Sequence, residues 1–334
     1  MSDAAGRVVD RADDRAVAVV AFGGGHGLHA SLSALRLLVD ELVVDDLTAV
    51  VTVADNGGSS GRLRNEFGVL PPGDLRMALA ALCGRNEWGV TWSRVLQHRF
   101  AGHGEMRDHV VGNLLIVGLW ELLGDHVDAL DYVGRLLGAT GRVLPMALVP
   151  MDITAEVRGL VPDDPDALVA VRGQVEVATS DGVIESVALV PPDPPAAPEA
   201  LKAIQAADWV VLGPGSWFTS VIPHLMVPAL RQALVSTDAR VVVVLNLAAE
   251  AGETSGFGAA DHLRVLAGHA PDLRVHTVLA DRDTAAHELA ELEQVVAAYG
   301  ARLVVDDVAE APGTPRHDPV KLAAAYSRIF GSNS

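Results

Sequence analysis

The chain is poor in the features that mark several large functional classes. It has one cysteine, Cys83, in 334 residues. An internal disulfide is therefore excluded, and a reducing compartment is the expectation. Aromatic residues make up only 4% of a chain that is half apolar, so the core must be built mainly from Val, Leu and Ala. Positive charge is scarce: 25 Lys and Arg stand against 43 Asp and Glu, a formal net charge of −18. A groove that tracks a nucleic-acid backbone needs concentrated positive charge, so no nucleic-acid partner is expected. No apolar stretch approaches the roughly 20 residues of a membrane-crossing helix, so no membrane insertion is expected. Residues 1–15 mix charges with alanines and lack a signal peptide's apolar segment. They read as a flexible tail, and the chain as cytoplasmic. His98, His103 and His109 lack the tight spacing and thiolate partners of a zinc site, so no structural or catalytic metal is expected there. Repeats and low-complexity segments are also missing.

What is present is a series of buried runs that end in glycine-rich polar loops. The first, Ala16–Phe22, has the length and β-branched content of a strand buried on both faces. Gly23, Gly24, Gly25, His26 and Gly27 follow, and Leu28, Leu32, Leu35 and Leu38 then recur at helical spacing. Glycine lets a ligand come close to the backbone, and the free N–H groups at a helix start favour an anion, usually a phosphate. The loop is not the Rossmann fingerprint, because Leu28 stands at its third glycine, and it lacks the lysine of a Walker A loop. A second strand, Leu47–Val53, ends in Asp55, Asn56, Gly57, Gly58, Ser59 and Ser60. Ligands in open parallel sheets sit beyond the carboxyl ends of strands, and this loop lies at such an end. The competing reading is an Asx turn with a serine helix cap. Asp74 precedes an apolar helical run, Leu75–Leu82, either as its N-cap or as a site residue, and Asn113 opens another helix, as its cap or as a ligand contact, within a mainly helical stretch, 91–138.

Residues 142–190 change character. Arg142–Val149, Asp152–Val157, Ala170–Ala178 and Gly182–Val190 read as a small antiparallel β insert. After a proline-rich connector and a short helix, Trp209–Leu212 returns to the sheet and ends in Gly213, Gly215, Ser216, Thr219 and Ser220, a second grouping suited to phosphate oxygens. Arg240–Leu245 is another buried strand ending in Asn246, and Leu273–Leu279 and Arg302–Val305 complete the strands. Arg316 precedes Asp318 and Pro319, a cap and first turn for the last helix, and is either a surface charge or a clamp on a phosphate or uronate-like oxygen.

Together these loops resemble the YvcK branch of the YvcK/CofD superfamily, the gluconeogenesis factor family. The resemblance rests on Gly23–Gly27, Val53–Arg64, Pro71–Asp74, Gly112-Asn113, Gly213–Ser216, Thr219-Ser220 with Pro223, Gly252–Thr254 and Arg316–Asp318, and it spans about residues 16–330. It implies a Rossmann-like α/β fold: a mostly parallel sheet flanked by helices, in one domain over 16–331 that includes the 142–190 insert. It also implies a nucleotide-sugar ligand such as UDP-N-acetylglucosamine, a regulatory part in central carbon use, cell-wall synthesis and cell shape, and protein partners of that kind. A homodimer is compatible with these features. In this reading the diphosphate sits on Gly23–Gly27 and on Gly213–Ser216 with Thr219 and Ser220. Asp55, Asn56, Ser59 and Ser60 address hydroxyls, Asn113 and Arg316 close the site, and no cofactor is required. The CofD branch offers the alternative, an Mg²⁺-dependent phospholactyl transferase acting on a deazaflavin, with Asp55 and Asp74 holding the metal. Two positions depart from the family pattern: His26 replaces a usual Thr, and Asn56 replaces a usual second Asp. An amide is a weak Mg²⁺ ligand, which favours a binding protein over a transferase. A nicotinamide-dependent dehydrogenase fits least, since the glycine fingerprint is wrong.

Overall fold

Continuous Val-, Leu- and Ala-rich runs form strands when both faces can be covered, and seven of them pair here in one sheet. In the computed structural model, which describes residues 16–249 and 252–332, chain order gives β1 Val17–Gly23, β2 Val44–Val51, β3 Arg142–Pro145, β4 Asp152–Arg158, β5 Leu168–Arg172, β6 Val183–Val190, β7 Trp209–Leu212, β8 Arg240–Val244, β9 Thr277–Asp281 and β10 Arg302–Asp306. The main sheet runs β10-β9-β8-β7-β1-β2-β3, and every pair in it is parallel. β7 is buried at all four positions, and β8 at all but its first. Helices cover both faces. The first, Gly25–Asp40, buries Leu28, Leu32, Leu35 and Leu38, the stripe its spacing predicts. The last, Pro319–Gly331, starts as the sequence suggests, with the Asp318 carboxylate accepting from the Val320 and Lys321 amides. The two helices meet through a buried hydrogen bond of 2.8 Å between the Ser31 and Tyr326 hydroxyls. The expected tail, residues 1–15, lies outside the described residues.

The insert is smaller than its sequence reading. Arg142–Pro145 is not part of it: β3 pairs parallel with β2 as an edge of the main sheet, and three of its four residues are buried. The antiparallel sheet contains only β5-β4-β6. Within the expected third strand, Gly173 takes φ +113° and the chain turns into a short helix, Gln174–Ala178. Positive φ ends strand geometry there, and β-branched content alone gave no sign of it. The following strand, β6, runs Val183–Val190 as expected.

Candidate functional site

The sheet places β1 between β2 and β7. The strand order reverses between β1 and β7, so the loops leaving their carboxyl ends diverge and open a crevice, the usual ligand position in open α/β sheets. Both loops are glycine-rich, and at Gly27 the absent side chain lets backbone meet backbone. A Cβ on Gly27 would overlap the Pro214 carbonyl oxygen and lie 2.5 Å from the Gly215 Cα. A Cβ on Gly24 would lie 2.5 Å from the Thr52 methyl and 2.6 Å from the Asp74 carboxylate. Asn246, at the end of β8, pins the second loop with both halves of its amide. Its Oδ1 accepts from the Gly215 N–H and its Nδ2 donates to the Gly215 carbonyl, each at 2.9 Å. The first intrahelical bond of Gly25–Asp40 runs from the Leu28 N–H to the Gly24 carbonyl, so the amides before it have no partner within the helix, and that of Gly25 goes to Asp74.

Between these loops lies a cleft of about 570 Å³, within the range of small-molecule sites. It brings together Gly24, Gly25, His26, Gly27, Asp74, Gly215, Ser216, Ser220, Asn246 and Arg316 from distant parts of the chain. Gly23 closes β1 and Gly213 follows β7, both buried behind the cleft. Asp74 does not cap its own helix, Pro72–Leu82, whose N-cap is Pro71. Its carboxylate instead accepts from the Gly25 amide. Burial, and then the neighbouring negative charge of Asp55, push the Asp74 carboxyl up to about 7. Arg316 reaches the rim, where it pairs with Glu310 at 2.8 Å. An anion entering this cleft is therefore met mainly by oriented amides.

The second glycine loop behaves differently. Asp55 Oδ1 accepts from the Gly57 N–H at 2.8 Å, an Asx turn, and Gly57 caps the helix Gly58–Phe67 without a side-chain bond. Asn56 clasps the insert: its Oδ1 accepts from the Val175 amide at 3.1 Å and its Nδ2 donates to Glu176 at 2.7 Å. Gly57 leaves room for Val175, whose Cγ2 would lie 2.9 Å from a Cβ there. Ser59 is buried and accepts from the Val110 N–H at 3.2 Å and from Asn113 Nδ2 at 3.1 Å, beside the His109 ring. Asn113 is thus the third residue of its helix, Val111–Leu123, rather than its cap, which is Val110. Ser60 packs against Gly73, and Thr219 donates to Glu253 at 3.0 Å. Asn56, Ser59, Asn113 and Thr219 therefore spend hydrogen bonds inside the protein, and none of the four lines the cleft.

Some cleft residues carried no local signal. Gln174, from the insert, lines the cleft while its Nε2 donates to the Thr219 carbonyl at 3.3 Å. His317 also lines it, although in the sequence it is only the middle of the Arg316–Asp318 motif. Behind the cleft, the guanidinium of Arg76 is buried, with no hydrogen bond at its Nε. Burial lowers its pKa to about 10. Among the described residues there is no group of three or more His, Cys, Asp or Glu side chains arranged to hold a metal ion. Nor is any described helix long and apolar enough to cross a membrane.

A family model described as 2-phospho-L-lactate transferase CofD matches residues 19–314. A putative gluconeogenesis factor from Mycobacterium tuberculosis (strain CDC 1551 / Oshkosh) is 54% identical over 313 residues, 93% of this chain and 90% of the relative. The gluconeogenesis factor of Bacillus subtilis (strain 168) is 34% identical over 271 residues, 81% of this chain and 80% of its own. The fold is similar to the crystal structure of a UPF0052-family protein from Bacillus halodurans, with a TM-score of 0.80 and 32% identity over 94% of this chain and 99% of that one.

Proposed function

The chain belongs to the YvcK/CofD superfamily, and on that premise we propose that it is a nucleotide-sugar-binding regulatory protein. The ligand is of the UDP-N-acetylglucosamine kind, and the protein couples central carbon use to cell-wall synthesis and cell shape through protein partners. The observation that carries this reading is the cleft at the β1/β7 divergence. Two glycine loops meet there backbone to backbone, and Asn246 holds one of them rigid. Such a frame can receive a diphosphate on N–H groups with no need of a metal. Asp74, neutral over much of the acid range, presents less charge to that diphosphate than its type suggests.

The family model supports a second reading, a CofD-like phospholactyl transferase. The adjacent carboxylates of Asp55 and Asp74 are the groups that could hold Mg²⁺, which would neutralise charge on a leaving diphosphate. Against it, the third position of such a set, Asn56, is an amide already committed to Val175 and Glu176. Calorimetry against UDP-N-acetylglucosamine, UDP-glucose, GDP and NAD, each with and without EDTA, tests the two readings. A product search with a phospholactyl-guanosine donor and a deazaflavin acceptor runs beside it. UDP-sugar binding indifferent to EDTA, with no product, is the expected result. Mg²⁺-dependent product formation would replace it with the transferase reading.

A further inference from the structure

The insert reaches the cleft at a single point. Of β4, β5, β6 and the short helix Gln174–Ala178, only Gln174 lines it among the described residues. The backbone around Gln174 is pinned on both sides. The Gly173 N–H donates to the Ile153 carbonyl of β4 at 2.8 Å, and the Val175 N–H donates to Asn56 Oδ1 at 3.1 Å. The side-chain amide is oriented as well, by its bond of 3.3 Å to the Thr219 carbonyl. A carbonyl only accepts, so the amide nitrogen faces Thr219 and Oε1 is the atom left over. Oε1 has no hydrogen-bond partner among the described residues, and it is not sealed from solvent.

The wall beside Gln174 carries groups of a matching kind. Ser220 follows Thr219 in the chain and lines the cleft, as does Asp74. The Ser220 hydroxyl and an Asp74 carboxyl oxygen both approach the space beside Gly24. An amide oxygen, a hydroxyl and a carboxyl on one stretch of wall suit a group with several neighbouring hydroxyls. A phosphate oxygen there would find no donor in Oε1. Among the parts of a nucleotide sugar, the hexose carries the most hydroxyls.

We propose that Gln174 is a specificity-determining residue of the cleft, its Oε1 accepting a hydrogen bond from a hydroxyl of the ligand's hexose. The inference rests on the nucleotide-sugar reading and assigns the part of the ligand that the glycine loops do not read. Backbone amides of those loops can receive a diphosphate whatever is attached to it. The insert, through Gln174, then distinguishes a sugar-bearing nucleotide from a bare one, because only the former satisfies the amide oxygen in place of water.

The test is calorimetry of the full chain, wild type against Gln174→Leu, with UDP-N-acetylglucosamine and UDP as probes. Leucine is similar in size and makes no side-chain hydrogen bond. Gln174→Leu should weaken UDP-N-acetylglucosamine about tenfold and UDP by less than about twofold. UDP serves as the control for structure, since a residue that only braced the Thr219 carbonyl would weaken both ligands alike. A melting curve accompanies each protein, and Gln174→Met, unbranched like glutamine, repeats the comparison if the leucine variant is destabilised. Unchanged affinity for UDP-N-acetylglucosamine, or equal losses with the two ligands, would overturn the inference and leave the functional reading in place. Failure of the wild type to bind either probe would instead overturn the functional reading, and this inference with it.

Discussion

Two loops in this molecule look equivalent on paper and are put to different uses. Gly23–Gly27 and Asp55–Ser60 both follow a buried parallel strand, both are glycine-rich, and both precede a helix. The first sits at the β1/β7 divergence, touches the Gly213–Ser216 loop through bare backbone, and faces a cleft. The second follows β2, one strand away, and turns its side chains inward and sideways: Asn56 to the insert, Ser59 to Val110 and Asn113. Polar residues beside glycines at a strand end thus mark a place where side chains can be satisfied. Strand order decides whether the loop faces an open cleft or the protein itself. In the first loop the glycines matter through what they leave out, in the second through the contacts of their neighbours.

The comparison breaks most easily at Gly27. Gly27→Val would drive its side chain into the Pro214–Gly215 backbone, which cannot yield like the end of a flexible side chain. UDP-sugar binding should fall by more than about 100-fold, with a stability loss of roughly 1–3 kcal/mol or more. Calorimetry and a melting curve check both, and retained affinity in a folded variant would move the ligand out of this cleft.

Asp74 tests the same loop through pH. Its folded-state pKa of about 7 lies above the ordinary 3.8, so between these values the folded chain holds a proton that the unfolded chain has released. Its contribution to stability is complete below about pH 4, falls as pH rises towards 7 and is level above that. Asp74→Asn should therefore gain stability relative to the wild type as pH rises from 4.5 to 8. The gain should level off at a few kcal/mol at most. Taking the difference between the two proteins in urea unfolding cancels the buried histidines His224 and His317. Both are lowered to about 4 and act with the opposite sign, losing stability as pH falls below 6.5.

At the second loop the expected signature is stability without affinity. Ser59→Ala removes the acceptor used by the Val110 amide and Asn113 Nδ2. A loss of about 1–3 kcal/mol with unchanged UDP-sugar affinity is expected. A marked loss of affinity would return Ser59 to the ligand. Asn56→Asp is the mildest case. The new carboxylate would face Glu176 where an N–H now donates, and this partly exposed repulsion should amount to about 1 kcal/mol. Affinity should stay within about tenfold, and adding Glu176→Gln should restore stability.

Much of the fold was legible locally because its causes are local. Burial on both faces selects the apolar runs of β1, β7 and β8, the Leu28–Leu38 stripe selects a helix, and Asp318 with Pro319 marks where the last helix begins. The sequence singles out Gly23, Gly24, Gly25 and Gly27 for the close approach of a ligand; at Gly24 and Gly27 it is other parts of the chain that come that close. The tertiary structure decided the rest. It assigned Arg142–Pro145 to the main sheet and cut the insert to three strands, since strand neighbours are chosen by long-range pairing. It sent Asn56 across the chain to Glu176 and Ser59 to Asn113. It also set Gln174 of the insert into the wall of the cleft, beside Thr219. A side chain's type states which hydrogen bonds it can make. Which partner fills them depends on residues far along the chain that only the packed sheet brings within 3 Å or so.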